Sequence, residues 1–219
     1  MPYNRISYLS GILPIIFYLL FFKRNKEGGY WVIFVYSFFS LFADTAFKIP
    51  SIKHYSFYVL SALTIIEYSL FSYFIFLSYK EKTFKTILIV CSILFYAIAV
   101  INILSKRSAT FDSLSASLEA SLLILFSIFF LYEQIKDPTI FYVYTSKRFW
   151  IIIAFLLYFS SILFLFIYAV TFTSQQHQSY WRINNIFDTL KNLLFTIAFA
   201  MKKNKQHEPS LENFYPEDY

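Results

Sequence analysis

The chain has 219 residues, of which 58% are hydrophobic and only 15% are charged. Ordinary soluble domains carry about 25% charged residues, so this composition excludes a typical soluble protein and predicts a membrane protein. The net charge of +6 does not indicate nucleic-acid binding. The basic residues cluster at the ends of apolar runs, where they set membrane topology and contact anionic headgroups.

Seven apolar segments meet the length of roughly 17–25 residues that a membrane-spanning helix needs. They cover residues 6–22, 30–47, 56–79, 86–104, 114–135, 149–172 and 181–201. The loops between them are too short to hold a second domain. We therefore predict an all-α, polytopic membrane protein, in which residues 1–201 form one seven-helix transmembrane domain and residues 202–219 form a short polar tail.

Lysine and arginine residues are distributed unevenly between the two sets of loops. Twelve lie after the first, third, fifth and seventh segments, and six lie at the N-terminus, in the other loops or at the start of the seventh segment. Positively charged loops stay in the cytoplasm. The count predicts an N-terminus outside, a C-terminus in the cytoplasm, and a place in the plasma (inner) membrane.

Ionisable and amide side chains interrupt several of these segments. The residues are Asp44, Glu67, Glu119, Asn184, Asn185, Asp188 and Lys191. The predicted orientation puts all five ionisable ones between the mid-plane and the outer face. A charge at the centre of a bilayer costs roughly 3 kcal/mol on insertion scales, so these side chains should face the bundle interior or an outward-opening cavity. They are the candidate ligand-binding or ion-pair network.

Structural roles for the same residues remain open. Asp44 precedes Lys48 by four residues, a spacing that favours an interfacial ion pair. Lys191 could form a salt bridge with Glu67 or Glu119 that fixes helix packing, and this role is compatible with ligand binding. One lysine cannot neutralise four carboxylates, so protonation or a bound cation is also expected.

The sequence resembles the retinal proteins in that it has a lysine in the seventh segment and an acid in the third. In microbial rhodopsins the acid precedes the lysine by four residues, whereas Asp188 precedes Lys191 by three. The sixth segment also lacks the Trp/Tyr/Pro pattern of their retinal pocket. Retinal on Lys191 is therefore not expected, and the cofactor is unknown.

Known catalytic motifs and a histidine cluster within the apolar segments are missing from the sequence. No catalytic or metal-binding residues are predicted, and an enzyme is the third of three hypotheses. The leading hypothesis is a sensor that binds an external small molecule or ion, and the alternative is a small proton- or cation-coupled transporter. The topology is similar to that of heptahelical receptors and of the membrane modules of bacterial histidine kinases. The short tail cannot hold a kinase, so a separate cytoplasmic signalling partner would be needed.

Overall fold

The structure is a computed structural model that describes residues 2–46, 56–105, 113–136, 143–169 and 174–202. These residues form eight α-helices and one short 3-10 helix, and no strand occurs among them. The helices are α1 (Pro2–Leu20), α2 (Phe22–Asn25), α3 (Trp31–Ala46), α4 (Ser56–Ser78), α5 (Lys82–Leu104), α6 (Ser113–Lys136), α7 (Lys147–Ala169) and α8 (Ser174–Ala200). The predicted all-α class is confirmed for this part of the chain.

Four of the helices are long and apolar enough to cross a membrane. Their spanning stretches are Phe57–Ser78, Lys82–Leu104, Leu114–Lys136 and Lys147–Leu165. Two shorter apolar stretches, Ile6–Leu20 and Trp31–Ala43, lie in α1 and α3. α8 is long, but its polar residues reduce its apolar character. The helices are those of a membrane protein, while the count of seven spans and the orientation remain predictions.

Two adjacent glycines make the turn between α2 and α3. Gly28 and Gly29 have φ angles of +84° and +79°, a backbone region that residues with a side chain rarely adopt. Gly11, the third glycine of the sequence, lies within α1 instead. The α2–α3 turn therefore depends on these two positions.

The long helices pack in a closed ring. α8 packs between α1 and α7, and the ring continues from α1 through α3, α4 and α6 back to α7. α5 lies outside the ring against α4 and α6, and its spanning stretch is the least buried of the four. The last helix, α8, therefore packs directly against the first helix, α1.

Aromatic side chains from α4, α7 and α8 fill the interior of the ring. The rings of Phe71 and Phe155 have centroids 4.2 Å apart, and Phe195 lies edge-on to Phe155 at 5.9 Å. All three side chains are fully buried. Close packing of this kind, rather than water exclusion, holds helices together in lipid. The ring of Tyr36 from α3 continues this aromatic core, 4.2 Å from Phe71.

Buried polar groups hold together the end of the bundle that is predicted to be cytoplasmic. The ammonium of Lys147 donates to Asn25 Oδ1 at 2.7 Å, and Asn25 Nδ2 donates to the carbonyl of Phe199 at 3.2 Å. Nearby, Glu133 Oε1 accepts the backbone N–H of Lys80 at 2.9 Å. These contacts put the end of α2, the start of α7 and the end of α8 at the same level, so α7 and α8 run in opposite directions.

Candidate functional site

Lys191 is the centre of a polar cluster inside the helix ring. Its side chain is 1% exposed, and its Nζ lies 2.7 Å from Asp188 Oδ1, one turn earlier on α8. Asp188 is 19% exposed. A lysine at this depth needs an anionic partner, and the helix itself supplies one because residues three apart lie on one face.

The hydroxyl of Tyr36 connects Lys191 to Glu67 on α4. Lys191 Nζ donates to the Tyr36 oxygen at 2.6 Å, and the Tyr36 hydroxyl donates to Glu67 Oε1 at 2.9 Å. The sequence suggested a direct salt bridge of Lys191 with Glu67 or with Glu119. In the described residues the direct partner of Lys191 is Asp188 instead, and the tyrosine lies between Lys191 and Glu67. We call Asp188, Lys191, Tyr36 and Glu67 the ionic cluster.

An aromatic ring from α7 covers the remaining side of the ammonium. Lys191 Nζ lies 3.8 Å from the centroid of the Tyr158 ring and 4.9 Å from that of the Tyr36 ring. The face of a tyrosine ring is negative and attracts a cation, most strongly where water is excluded. Asp188, Tyr36 and Tyr158 together account for the burial of the Lys191 charge.

Serines of α1 extend the ionic cluster to the first helix. The Ser7 hydroxyl donates to Asp188 Oδ2 in a short hydrogen bond. One turn further along, Asn192 Nδ2 donates to Ser10 Oγ at 3.1 Å and to Asp188 Oδ2 at 3.4 Å. With Ser7 included, Asp188 accepts hydrogen bonds from two helices and pairs with Lys191. The ionic cluster thus connects α1, α3, α4, α7 and α8.

Glu119 lies on α6 beside the cluster without a hydrogen bond to it. Its side chain is 4% exposed, and no hydrogen-bond donor of the described residues reaches its Oε1. The sequence placed Glu119 in the same network as Glu67, and that grouping stays a prediction, since Glu119 has no hydrogen bond to the ionic cluster.

The other predicted network residues have different surroundings. Asn184 lies one turn before Asp188, and its Oδ1 is buried without a donor among the described residues. Asn185 accepts the hydroxyl hydrogen bond of Thr189 at its backbone carbonyl, at 2.7 Å. Asp44 belongs to α3, but its side chain lies outside the described residues. The possible pairing of Asp44 with Lys48 lies outside them as well.

The site contains more acidic groups than basic ones. The predicted site residues with described side chains include three carboxyl groups, those of Glu67, Glu119 and Asp188, but one ammonium, that of Lys191, which pairs with Asp188. Two like charges close together in a low-dielectric interior cannot both stay ionised without compensation. The arrangement is suited to holding a proton or another positive charge. Among the described residues no group of three or more His, Cys, Asp or Glu side chains could hold a metal ion.

Several members of the site were not selected from the sequence. Tyr36 is one of 19 tyrosines and Tyr158 another, and nothing in their neighbourhood distinguishes them from packing residues. A weak signal was available for Ser7 and Ser10. They are three residues apart, and Asp188 and Asn192 are four apart, so each pair lies about one turn apart on one face of its helix. Such matching becomes informative only once α1 and α8 are known to be neighbours.

No protein-family model matches this chain, and comparisons with curated proteins and with solved structures find no match either.

Proposed function

We propose that this chain is a seven-span protein of the plasma (inner) membrane, with its N-terminus outside, that senses an external small molecule or ion at the ionic cluster. The observation that carries the proposal is the connection of one buried ion pair to several helices. Asp188 pairs with Lys191 at 2.7 Å, and their other contacts reach α1, α3, α4 and α7.

A ligand can shift a conformational equilibrium only if its affinity differs between the two states. A solute that binds Asp188 or Glu67 would weaken the interaction of that carboxyl with Lys191 or Tyr36. Contacts on several helices would then change at once. Both carboxyls are partly exposed, while Lys191 is not. This combination of partly exposed acids and a buried cation beside them supports a sensing role. A separate cytoplasmic partner would carry the signal onward.

Hydrogen–deuterium exchange of the protein in lipid nanodiscs tests the proposal. The probes are sodium and potassium ions, ammonium, small alkylamines, amino acids and short carboxylic acids. We expect at least one probe to change exchange in α1, α3 and α8 together. Tyr36→Phe should uncouple α3 from that response, whereas Tyr73→Phe, an exposed tyrosine on α4, should not.

A proton- or cation-coupled carrier is the second candidate, and the excess of carboxyl groups over ammonium in the site favours it. A carrier must expose its site to both sides of the membrane in turn. Proteoliposomes that contain a pH-sensitive dye would report proton flux driven by a solute gradient. Flux that Glu67→Gln abolishes would favour the carrier over the sensor. The third hypothesis, an intramembrane enzyme, has no specific contact of the described residues in its support.

A further inference from the structure

The four side chains of the ionic cluster form a continuous row of proton donors and acceptors. The distance from Asp188 Oδ1 to Lys191 Nζ is 2.7 Å, that from Nζ to the Tyr36 oxygen is 2.6 Å, and that from this oxygen to Glu67 Oε1 is 2.9 Å. A proton can pass directly between groups that are about 2.6–3.2 Å apart. Each step of the row from Asp188 to Glu67 therefore lies within the range of direct proton transfer.

The hydrogen bonds beyond the ion pair all have the same direction. Lys191 donates to the Tyr36 oxygen, and the Tyr36 hydroxyl donates to Glu67 Oε1. A hydroxyl can accept one proton while it gives up another, whereas an ammonium has donors only. Lys191 can therefore take a proton from Asp188 only as it passes one of its own to Tyr36.

The two ends of the row are partly exposed, and its middle is buried. Asp188 is 19% exposed and Glu67 is partly buried, whereas Lys191 is 1% and Tyr36 4% exposed. A proton that crosses the buried part has to move from one side chain to the next. Ionisable side chains inside membrane proteins often form such proton pathways.

Neighbouring helices hold the row in place. The Ser7 hydroxyl from α1 and the Asn192 amide both donate to Asp188 Oδ2, while Oδ1 of the same carboxylate faces Lys191. The Tyr158 ring from α7 lies 3.8 Å from Lys191 Nζ. These contacts hold the carboxylate and the ammonium in the orientation that the first transfer needs.

Other titratable groups near Glu67 belong to α5 and α6, which pack against α4. On α5 the Tyr96 hydroxyl lies 2.8 Å from Ser69 Oγ, and on α6 Glu119 has no hydrogen bond to the ionic cluster. Among the described residues neither Tyr96 nor Glu119 joins the row.

We infer that the ionic cluster is a proton relay between Asp188 and Glu67. A proton on Asp188 Oδ1 moves to Lys191 as one N–H bond of Lys191 breaks and that proton forms an O–H bond with Tyr36. At the same time the original O–H bond of Tyr36 breaks, and its proton binds Glu67 Oε1. The net change converts protonated Asp188 and ionised Glu67 into ionised Asp188 and protonated Glu67. Lys191 remains an ammonium and Tyr36 a phenol, so no other reactant is needed. The relay uses the site of the proposed function but does not depend on the sensing role.

Time-resolved infrared spectroscopy of the full-length protein tests the relay in lipid nanodiscs, where both faces are open to the same solution. Photolysis of a caged proton lowers the pH, and the C=O stretch of protonated Glu67, identified by its loss in Glu67→Gln, reports the arrival of the proton. Each variant starts from a pH that gives the same final amplitude of this band. Tyr36→Phe should slow the rise of the band by about 100-fold, the lower end of the effect of a positioned proton-transfer group.

Tyr68→Phe is the matched control, because it removes another buried tyrosine hydroxyl, one that lies 2.9 Å from Ser92 Oγ and outside the row. It should keep the wild-type rate. Asp188→Asn should slow the band as much as Tyr36→Phe, and the double variant should be no slower than either, because both changes interrupt one path. Independent structural disturbances would add instead.

A measurement on the wild type covers the case in which these variants do not fold. The relay moves three protons together, so in mixtures of H₂O and D₂O the rate should fall along a curve as the deuterium fraction rises. A straight line would mean one proton in transit and would overturn the proposal. A wild-type rate in both Tyr36→Phe and Asp188→Asn, or a Glu67 band that does not change with pH, would overturn it as well.

The relay and the sensing role fail in different ways. If no solute changes hydrogen exchange but the rate of Glu67 protonation depends on Tyr36 and Asp188, the relay stands and the sensing role falls. If a solute changes hydrogen exchange but Glu67 is protonated at the same rate in every variant, the relay is refuted and sensing at the ionic cluster stands.

Discussion

The Tyr36 hydroxyl lies 2.6 Å from the Lys191 ammonium and forms a hydrogen-bonded bridge from that ammonium to Glu67. Tyr36 is 4% exposed and belongs to α3, whereas Lys191 belongs to α8. The Tyr36 oxygen accepts a hydrogen bond from Lys191 on α8, and the same hydroxyl donates one to Glu67 on α4. The bridge explains how a lysine and a glutamate can cooperate without direct contact.

Tyr36→Phe should destabilise the protein by about 1–3 kcal/mol, because it leaves one N–H of the buried Lys191 ammonium, and the partly buried Glu67 Oε1, without their hydrogen-bond partner. Reversible denaturant unfolding in detergent micelles measures the change. Tyr73→Phe is the control, since Tyr73 is 45% exposed, and its effect should stay within about 0.5 kcal/mol. Equal effects of the two substitutions would contradict the bridging role.

Lys191→Met should cost roughly 3–5 kcal/mol of folding free energy, since it removes one partner of a buried ion pair and leaves Asp188 uncompensated. The same unfolding measurement applies. The double variant Lys191→Met/Asp188→Asn removes both charges and should recover most of the loss. A single variant as stable as the wild type would indicate that Lys191 serves ligand binding rather than packing.

Asn25→Ala should destabilise the bundle by about 1–3 kcal/mol, because both Lys147 and the Phe199 carbonyl lose a buried hydrogen-bond partner. Asn25 is fully buried and joins α7 to α8 at the end predicted to be cytoplasmic. Hydrogen exchange should increase in the last turn of α8. An unchanged exchange rate there would mean that the Asn25 contacts contribute little.

Gly29→Ala should destabilise the protein by about 1–2 kcal/mol, the approximate cost of a left-handed backbone for a residue with a Cβ atom. The new Cβ would also lie 2.7 Å from Leu77 Cδ1, the flexible end of a side chain that can move away. Gly11→Ala is the control. Its Cβ would meet only atoms at 3.8 Å or beyond in a helical segment, so the change should be neutral or stabilising.

The predicted topology puts the segments on either side of α6 on opposite faces of the membrane. Single cysteines at Ser108 and Ser146, in a Cys91→Ser background, test it with a membrane-impermeant maleimide. Ser108 should react in intact cells and Ser146 only after the membrane is opened. Reaction of both from the same side would show that the number of spans or the orientation is wrong.

The sequence by itself determined where the long helices lie, through its apolar runs. The polar positions within those runs determined which face of a helix is polar. A run of about 20 apolar residues can satisfy its backbone hydrogen bonds only as a helix in lipid. Accordingly the predicted segment 56–79 corresponds to α4 (Ser56–Ser78), and 114–135 to α6 (Ser113–Lys136). The spacing of Asp188 and Lys191 likewise put them on one face of α8, because that relationship is local.

The tertiary structure alone decided which side chains from other helices meet that face. Lys191 contacts the Tyr36 hydroxyl because packing brings α3 within reach of α8. No local sequence pattern distinguishes Tyr36 from the other tyrosines of the chain. The same holds for Ser7, which meets Asp188 only because α1 packs against α8. Partner choice over such sequence distances is set by helix packing, since hydrogen bonds require contact within about 3 Å.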